Sequence, residues 1–171
     1  MIRLSRMIGA RAAYWAASGI LKDPREADKR EWEVASGISF EEAVYDSFHS
    51  PYPSWIAHYG ADKVLCVFGV CPSGLNPRIG NAWLAATNEA VKYVHRLHRH
   101  FEEGLVQMLD VYPTLHAWAD ERNVLHGKWM LKMGFERTES LLHFGEPSVP
   151  FRLFTITKEM HDRCASQAQQ P

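Results

Sequence analysis

Apolar and polar positions alternate along the chain in segments of changing period. Residues 2–6 fit a short strand, and the alanine-rich stretch 10–17 fits a helix closed by Ser18-Gly19. Asp23-Pro24 then predicts a second helix, with Asp23 as its N-cap and Pro24 in its first position, running to about Ala35 and stopping at Gly37. Ser39-Phe-Glu-Glu42 has the spacing of a capping box and predicts a third helix to about Phe48. Beyond Ser50-Pro-Tyr-Pro53 the period drops to two. Residues 54–59, 63–71 and 81–87 read as three strands of an antiparallel meander, with a Pro- and Gly-rich loop over 72–80. From 89 to 109, Val91, Val94, Leu97 or His98, Phe101, Leu105 and Met108 recur at three-four spacing, the mark of one long amphipathic helix. Pro113 ends that unit. A strand over 114–120, a helix over 123–133 closed by Gly134, and strands over 136–143 and 151–157 around Gly145-Glu-Pro147 complete the pattern. The last dozen residues are polar and read as loose. Strand–helix–strand units in the second half imply an α/β arrangement with mixed strand directions.

Composition narrows the class of protein. A chain of 171 residues, 46% hydrophobic and 23% charged, can bury one domain's core. The net charge of −1 removes the bulk electrostatic case for nucleic acid or an anionic membrane. No apolar run reaches the ~18 residues of a membrane span. Residues 1–21 carry Arg3, Arg6 and Arg11 among scattered aliphatics, a poor signal peptide and a better first strand or arm with a helix. The cysteines, Cys66, Cys71 and Cys164, are odd in number and form no CxxC pair, so a reducing compartment is expected. Nothing in sequence beside Cys164 activates it.

The stretch from Leu115 through Asn123, His126, Trp129, Met130, Lys132, Gly134 and Phe135 resembles the second signature of the GNAT (Gcn5-related N-acetyltransferase-like) superfamily: a strand, an asparagine, a short helix and a Gly-Phe. In physical terms Asn123 can cap the helix, Gly134 can end it and Phe135 can pack back into the core. The resemblance implies an α/β fold with a GNAT-like mixed, largely antiparallel sheet flanked by helices. It divides the chain into an arm over 1–21, a GNAT-like domain over 22–158 and a polar tail over 159–171. The closing Phe151-Arg-Leu-Phe-Thr-Ile-Thr-Lys158, with Asn81-Ala-Trp83, is similar to the small GNAT-like internal virion proteins of short-tailed (podovirus-type) bacteriophages. That resemblance runs from about Trp32 to Lys158. It implies a virion protein, made in the host cytoplasm, whose partners are other virion proteins or further copies of itself.

Two positions depart from the enzymes of the superfamily. Their cofactor turn, between the third meander strand and the long helix, carries glycines that let backbone N–H groups approach the coenzyme A pyrophosphate. Here the turn reads Thr87-Asn-Glu89-Ala-Val-Lys-Tyr93, without glycine. Glu89 opposes phosphate, and Lys92 is a point charge rather than a ring of donors. Many of these enzymes also place a tyrosine four residues before the Gly of Gly-Phe as general acid. That position is Met130, which has no proton to give, and His126 replaces a small residue near the helix start. The resemblance therefore implies a fold kept without its chemistry, with no cofactor expected. Were acetyl-CoA bound by an active N-acetyltransferase, Thr87, Asn88, Val91 and Asn123 would hold it.

Other clusters have plainer readings. His95, His98 and His100 suggest a metal, but on a helix His100 points away from the other two, and one half-buried and two solvated histidines are expected. Lys92, His95, Arg96 and Arg99 read as a solvated basic face, with a contact surface for a partner or packaged nucleic acid as the alternative. Gly74-Leu-Asn-Pro-Arg78-Ile-Gly80 has the composition of a phosphate loop but precedes a strand, so a hairpin loop is expected. Glu31, Glu33, Glu41 and Glu42 are candidate general bases that fit solvated helix faces better. Of the six tryptophans, Trp83 and Trp118 are placed to share a core layer, and an exposed one would mark an interface.

Overall fold

The computed structural model describes residues 1–74, 76–145 and 147–168, the side chains of 164–168 excepted. Ile2–Arg6 (β1) leads into three helices, Gly9–Lys22 (α1), Glu26–Ser36 (α2) and Phe40–Phe48 (α3). Ser54–Tyr59 (β2), Lys63–Ser73 (β3) and Asn76–Ala86 (β4) follow. A 3-10 turn over Asn88–Tyr93 enters Val94–Val111 (α4). Thr114–Asp120 (β5), Val124–Lys132 (α5), Glu136–Phe144 (β6), Val149–Thr157 (β7) and Lys158–Ala168 (α6) close the chain.

The strands form one seven-stranded sheet in the order β1-β2-β3-β4-β5-β7-β6. β1–β2, β2–β3, β5–β7 and β6–β7 pair antiparallel. β4 and β5 pair parallel, Ile79 with Thr114 through Asn81 with His116, as a crossover through α4 requires. The expected mixed, largely antiparallel α/β fold is the observed one.

The residues fall into two compact units. The first comprises Met1–Val70 and Trp83–Gly104, and the second Cys71–Ala82 with the described residues from Leu105 onward. In the first, Ala13, Ala16, Ala17 and Ile20 of α1 and Phe40, Val44 and Phe48 of α3 bury against Ile56, Val64, Val67 and Ala85 of the sheet. Trp32 and Trp83 pack edge to face beside them, 5.7 Å apart, and Trp83 stacks on Phe48. In the second, Leu115, Phe151 and Ile156 are fully buried, with Met130 and Phe135 close to it.

Several boundaries differ from the expected ones, each for a tertiary reason. α1 does not stop at Ser18-Gly19 but runs to Lys22. Gly19 sits where a Cβ would lie 2.6 Å from Val64, so it serves close helix–sheet approach rather than a cap. α2 starts at Glu26, with Arg25 as N-cap, because Asp23 and Pro24 are taken up by Thr87 and Asn88, just past β4. The capping box of Ser39 and Glu42 forms as read. The expected 72–80 loop is mostly strand: β3 extends to Ser73, β4 begins at Asn76, and Gly74 turns the chain at φ +56°. The polar tail winds into α6 through Ala168, anchored by Lys158, whose N–H bonds the Pro113 carbonyl at 2.9 Å. Residues 169–171 lie outside the described residues.

Candidate functional site

The turn that follows β4 belongs to the first unit. Thr87 is its N-cap, buried, with φ −86° and ψ 159°. Its N–H and its hydroxyl both donate to the Leu65 carbonyl of β3, at 2.9 and 3.0 Å. The same hydroxyl oxygen accepts from the Ala90 N–H at 3.3 Å, and the Thr87 carbonyl accepts from it at 3.1 Å. The Asn88 N–H donates to the Asp23 carbonyl at 3.0 Å, while its side-chain amide reaches the Asp23 carboxylate at 2.9 Å and the Pro24 carbonyl at 3.1 Å. Glu89 is bridged between Lys92, at 2.8 Å, and Lys63, at 3.3 Å; these bonds hold its carboxyl below the usual range. Val91 is half exposed. The expected single helix over 89–109 therefore begins as a tighter 3-10 turn, in which the Asn88 N–H is taken by the segment between α1 and α2 and the Ala90 N–H by the cap.

That segment also covers the free edge of β4. Because Thr87 turns its N–H to β3, its neighbour Ala86 turns N–H and C=O the other way. The Ala86 N–H meets the Asp28 carboxylate at 2.9 Å, and its C=O accepts from the Arg25 N–H at 2.8 Å. Two residues back, the Leu84 C=O accepts from the Trp32 indole N–H at 3.0 Å. Asp28 is itself buried and ion-paired with Arg25, whose Nε lies 3.0 Å away. Asp23 stands out in the sequence only as a helix cap, and Arg25, Asp28 and Trp32 do not stand out at all. The one trace is the four-residue spacing of Asp28 and Trp32, which puts both on one helix face.

The second unit holds the Asn123 segment. The Asn123 side chain accepts from the His126 N–H at 3.4 Å and so caps α5, while its own N–H bonds the Asp120 carbonyl at 2.9 Å. The helix ends as read: Gly134 has φ +90°, and the Phe135 N–H reaches back to the Met130 carbonyl at 3.1 Å, a Schellman-type closure. Phe135 and Met130 are buried in the core. Next to Asn123 stands an ion-pair group that sequence reading missed. Asp120 takes Arg122 in a bidentate bond, and Glu121 takes Arg152 at 2.6 Å and Arg137 at 2.7 Å. The run Asp120-Glu-Arg122 was its visible part; Arg137 and Arg152 arrive from β6 and β7. Thr87, Asn88 and Val91 thus share one turn of the first unit, and Asn123 belongs to the second.

Glu31 corrects an expectation. It is buried, not solvated, since α2 turns it inward with Asp28. Glu33 accepts from the Phe40 N–H at 3.3 Å, Glu42 closes the capping box, and Glu41 is exposed. On α4, His98 approaches Glu102 and His100 approaches Glu103, each at 3.4 Å, and His100 is half-buried rather than solvated. Among the described residues no group of three His, Cys, Asp or Glu side chains is placed to hold a metal ion, and no helix is long and apolar enough to cross a membrane. Lys92, His95, Arg96 and Arg99 are exposed. No tryptophan is exposed. Cys66 is buried; desolvation first, and then the Asp28 charge, push its thiol far above the range of a nucleophile. The Cys164 side chain lies outside the described residues.

No family model matches the sequence, and no curated protein matches it. The fold has many solved counterparts. Mutant forms of the spermidine/spermine N-acetyltransferase of Vibrio cholerae superpose with a TM-score of 0.66 at 9% identity, covering 96% of this chain and 98% of theirs. An N-acetyltransferase from Staphylococcus aureus gives 0.64 at 10%, covering 92% and 97%. The ribosomal-protein-S5-alanine acetyltransferase of Vibrio fischeri gives 0.64 at 14%, covering 92% of each chain. At such identities the likeness establishes the acetyltransferase fold, over nearly the full length of both chains.

Proposed function

We propose that the chain is a virion-associated protein of a bacteriophage that keeps the GNAT fold without acetyl transfer and acts through contacts with other virion proteins. The observation that carries the loss of chemistry is the engagement of the turn after β4. A pyrophosphate needs several unpaired backbone N–H groups converging on it. Here the Asn88 and Ala90 N–H groups already have protein partners, and no glycine opens the backbone. These residues do not fit coenzyme A. Met130, in the position of the usual acid, is buried and aprotic. The virion assignment, and with it a location in the particle, is supported by the resemblance of Asn81-Ala-Trp83 and of 151–158 to internal virion proteins.

The competing reading is an active acetyl-CoA-dependent N-acetyltransferase, favoured by the fold shared with the three acetyltransferases above. Titration calorimetry with acetyl-CoA separates the two. Under the proposed function no heat of binding appears at millimolar ligand; micromolar affinity would overturn the loss of chemistry. Mass spectrometry of purified particles tests the remainder: the protein is expected among the virion components, and its absence discards that role.

A further inference from the structure

Away from both segments described above, one group of side chains has the geometry of an activated nucleophile. β1 and β2 pair with Arg3 opposite His58 and Ser5 opposite Ile56, which puts Ser5 and His58 diagonally on one face. In the pairing of β2 with β3 the register shifts between Ala57 and His58, where Leu65 of β3 is the extra residue, while the β1–β2 register runs unbroken through this point. His58 Nε2 lies 3.0 Å from Ser5 Oγ, and its Nδ1 lies 2.6 Å from the Gly60 carbonyl oxygen. A carbonyl only accepts, so Nδ1 carries the proton. In the neutral ring Nε2 is then a bare acceptor, and the Ser5 hydroxyl donates to it. Gly60, at φ +64°, makes the turn that presents this carbonyl. Trp15 of α1 sets against the imidazole edge to face, 5.4 Å away at 78°, and holds its orientation. Ser5 is exposed and His58 partly so, which leaves the hydroxyl open to a reagent. Nucleophile, base and the group that orients the base stand in sequence, the arrangement that activates a serine.

We propose that Ser5 is a self-acylation site that takes the acyl group of an activated ester. Ser5 Oγ forms the new bond to the acyl carbon as its proton passes to His58 Nε2. The bond from that carbon to the ester oxygen breaks, and the imidazolium returns the proton to the leaving alkoxide. The products are an O-acylserine and the free alcohol.

The test treats the full chain with excess p-nitrophenyl acetate and locates acetyl groups by tandem mass spectrometry. Expected are about one p-nitrophenolate released per chain in a fast phase and acetyl on Ser5. Ser5→Ala abolishes the fast phase, and His58→Gln slows it by about a hundredfold, the smaller end of general-base effects. A measurement on the unaltered chain guards against misfolded variants: when the ester is added to the chain already unfolded in strong urea, Ser5 is expected to stay unacetylated. Acetyl confined to lysines, Ser5 acetylated equally fast in His58→Gln, or Ser5 acetylated as fast in urea as in the folded chain overturns the proposal.

Discussion

After β4, Thr87 caps a 3-10 turn; after β5, Asn123 caps α5. Both are short polar side chains accepting from the N–H three residues on, at 3.3 and 3.4 Å. The surroundings differ. Thr87 is buried, its hydroxyl also donates to β3, and the turn it begins is tied to Asp23 and Pro24 through backbone and side chain. Asn123 is half-buried and starts a nine-residue helix that closes on itself at Gly134. The same local grammar therefore serves a long-range fastening in one unit and a short helix with a local cap and a local closure in the other. A helix start is open to a ligand only if distant segments leave its donors alone.

The comparison is sharpest at Asp28. Asp28→Ala leaves Arg25 without its partner and the Ala86 N–H unsatisfied in a buried place, a loss of about 4 kcal/mol of stability, in the range for broken buried pairs. A urea midpoint close to that of the unaltered protein would show that the fastening carries no weight. Thr87→Ala removes a cap and a buried donor together and should cost about 2 kcal/mol. Gly134→Ala meets only ordinary contact at Ile156, 3.5 Å away, so its cost of about 1–2 kcal/mol comes from the positive φ. Asn123→Ala loses the α5 cap, about 1 kcal/mol. If denaturation ranks Asn123→Ala above Thr87→Ala, the two caps have been assigned the wrong weights.

The smallest effect is on pH dependence. Arg152 and then Arg137 hold the Glu121 carboxyl below its ordinary range, and Lys92 and then Lys63 do the same for Glu89. With the folded value below the unfolded one, each pair stabilises the protein above the ordinary glutamate value and is lost as pH falls through the folded value. Glu121→Gln and Glu89→Gln should each flatten the fall in urea midpoint between about pH 5 and pH 3. Both carboxylates are screened by solvent, so the changes will be small.

Much of this protein was legible along the chain because the signals are local. The Ser39–Glu42 capping box, the Gly134 stop and strands β2 and β5 depend on residues within a few positions of one another, and all stand where the pattern placed them. Gly19 misled for the opposite reason: a glycine near a helix end looks like a cap until Val64 is seen against it. Glu31 misled likewise, since a charged residue on a helix reads as solvated until something distant covers it. The residue pattern alone shows the order of helices and strands from β1 to β7, the lack of glycine at residues 87–93 and the methionine at 130. What the pattern does not show is that the Asn88 donors are spent on Asp23 and Pro24, some 65 positions earlier. Hydrogen-bond partners at that separation are chosen by how sheet and helices pack, which no local period records.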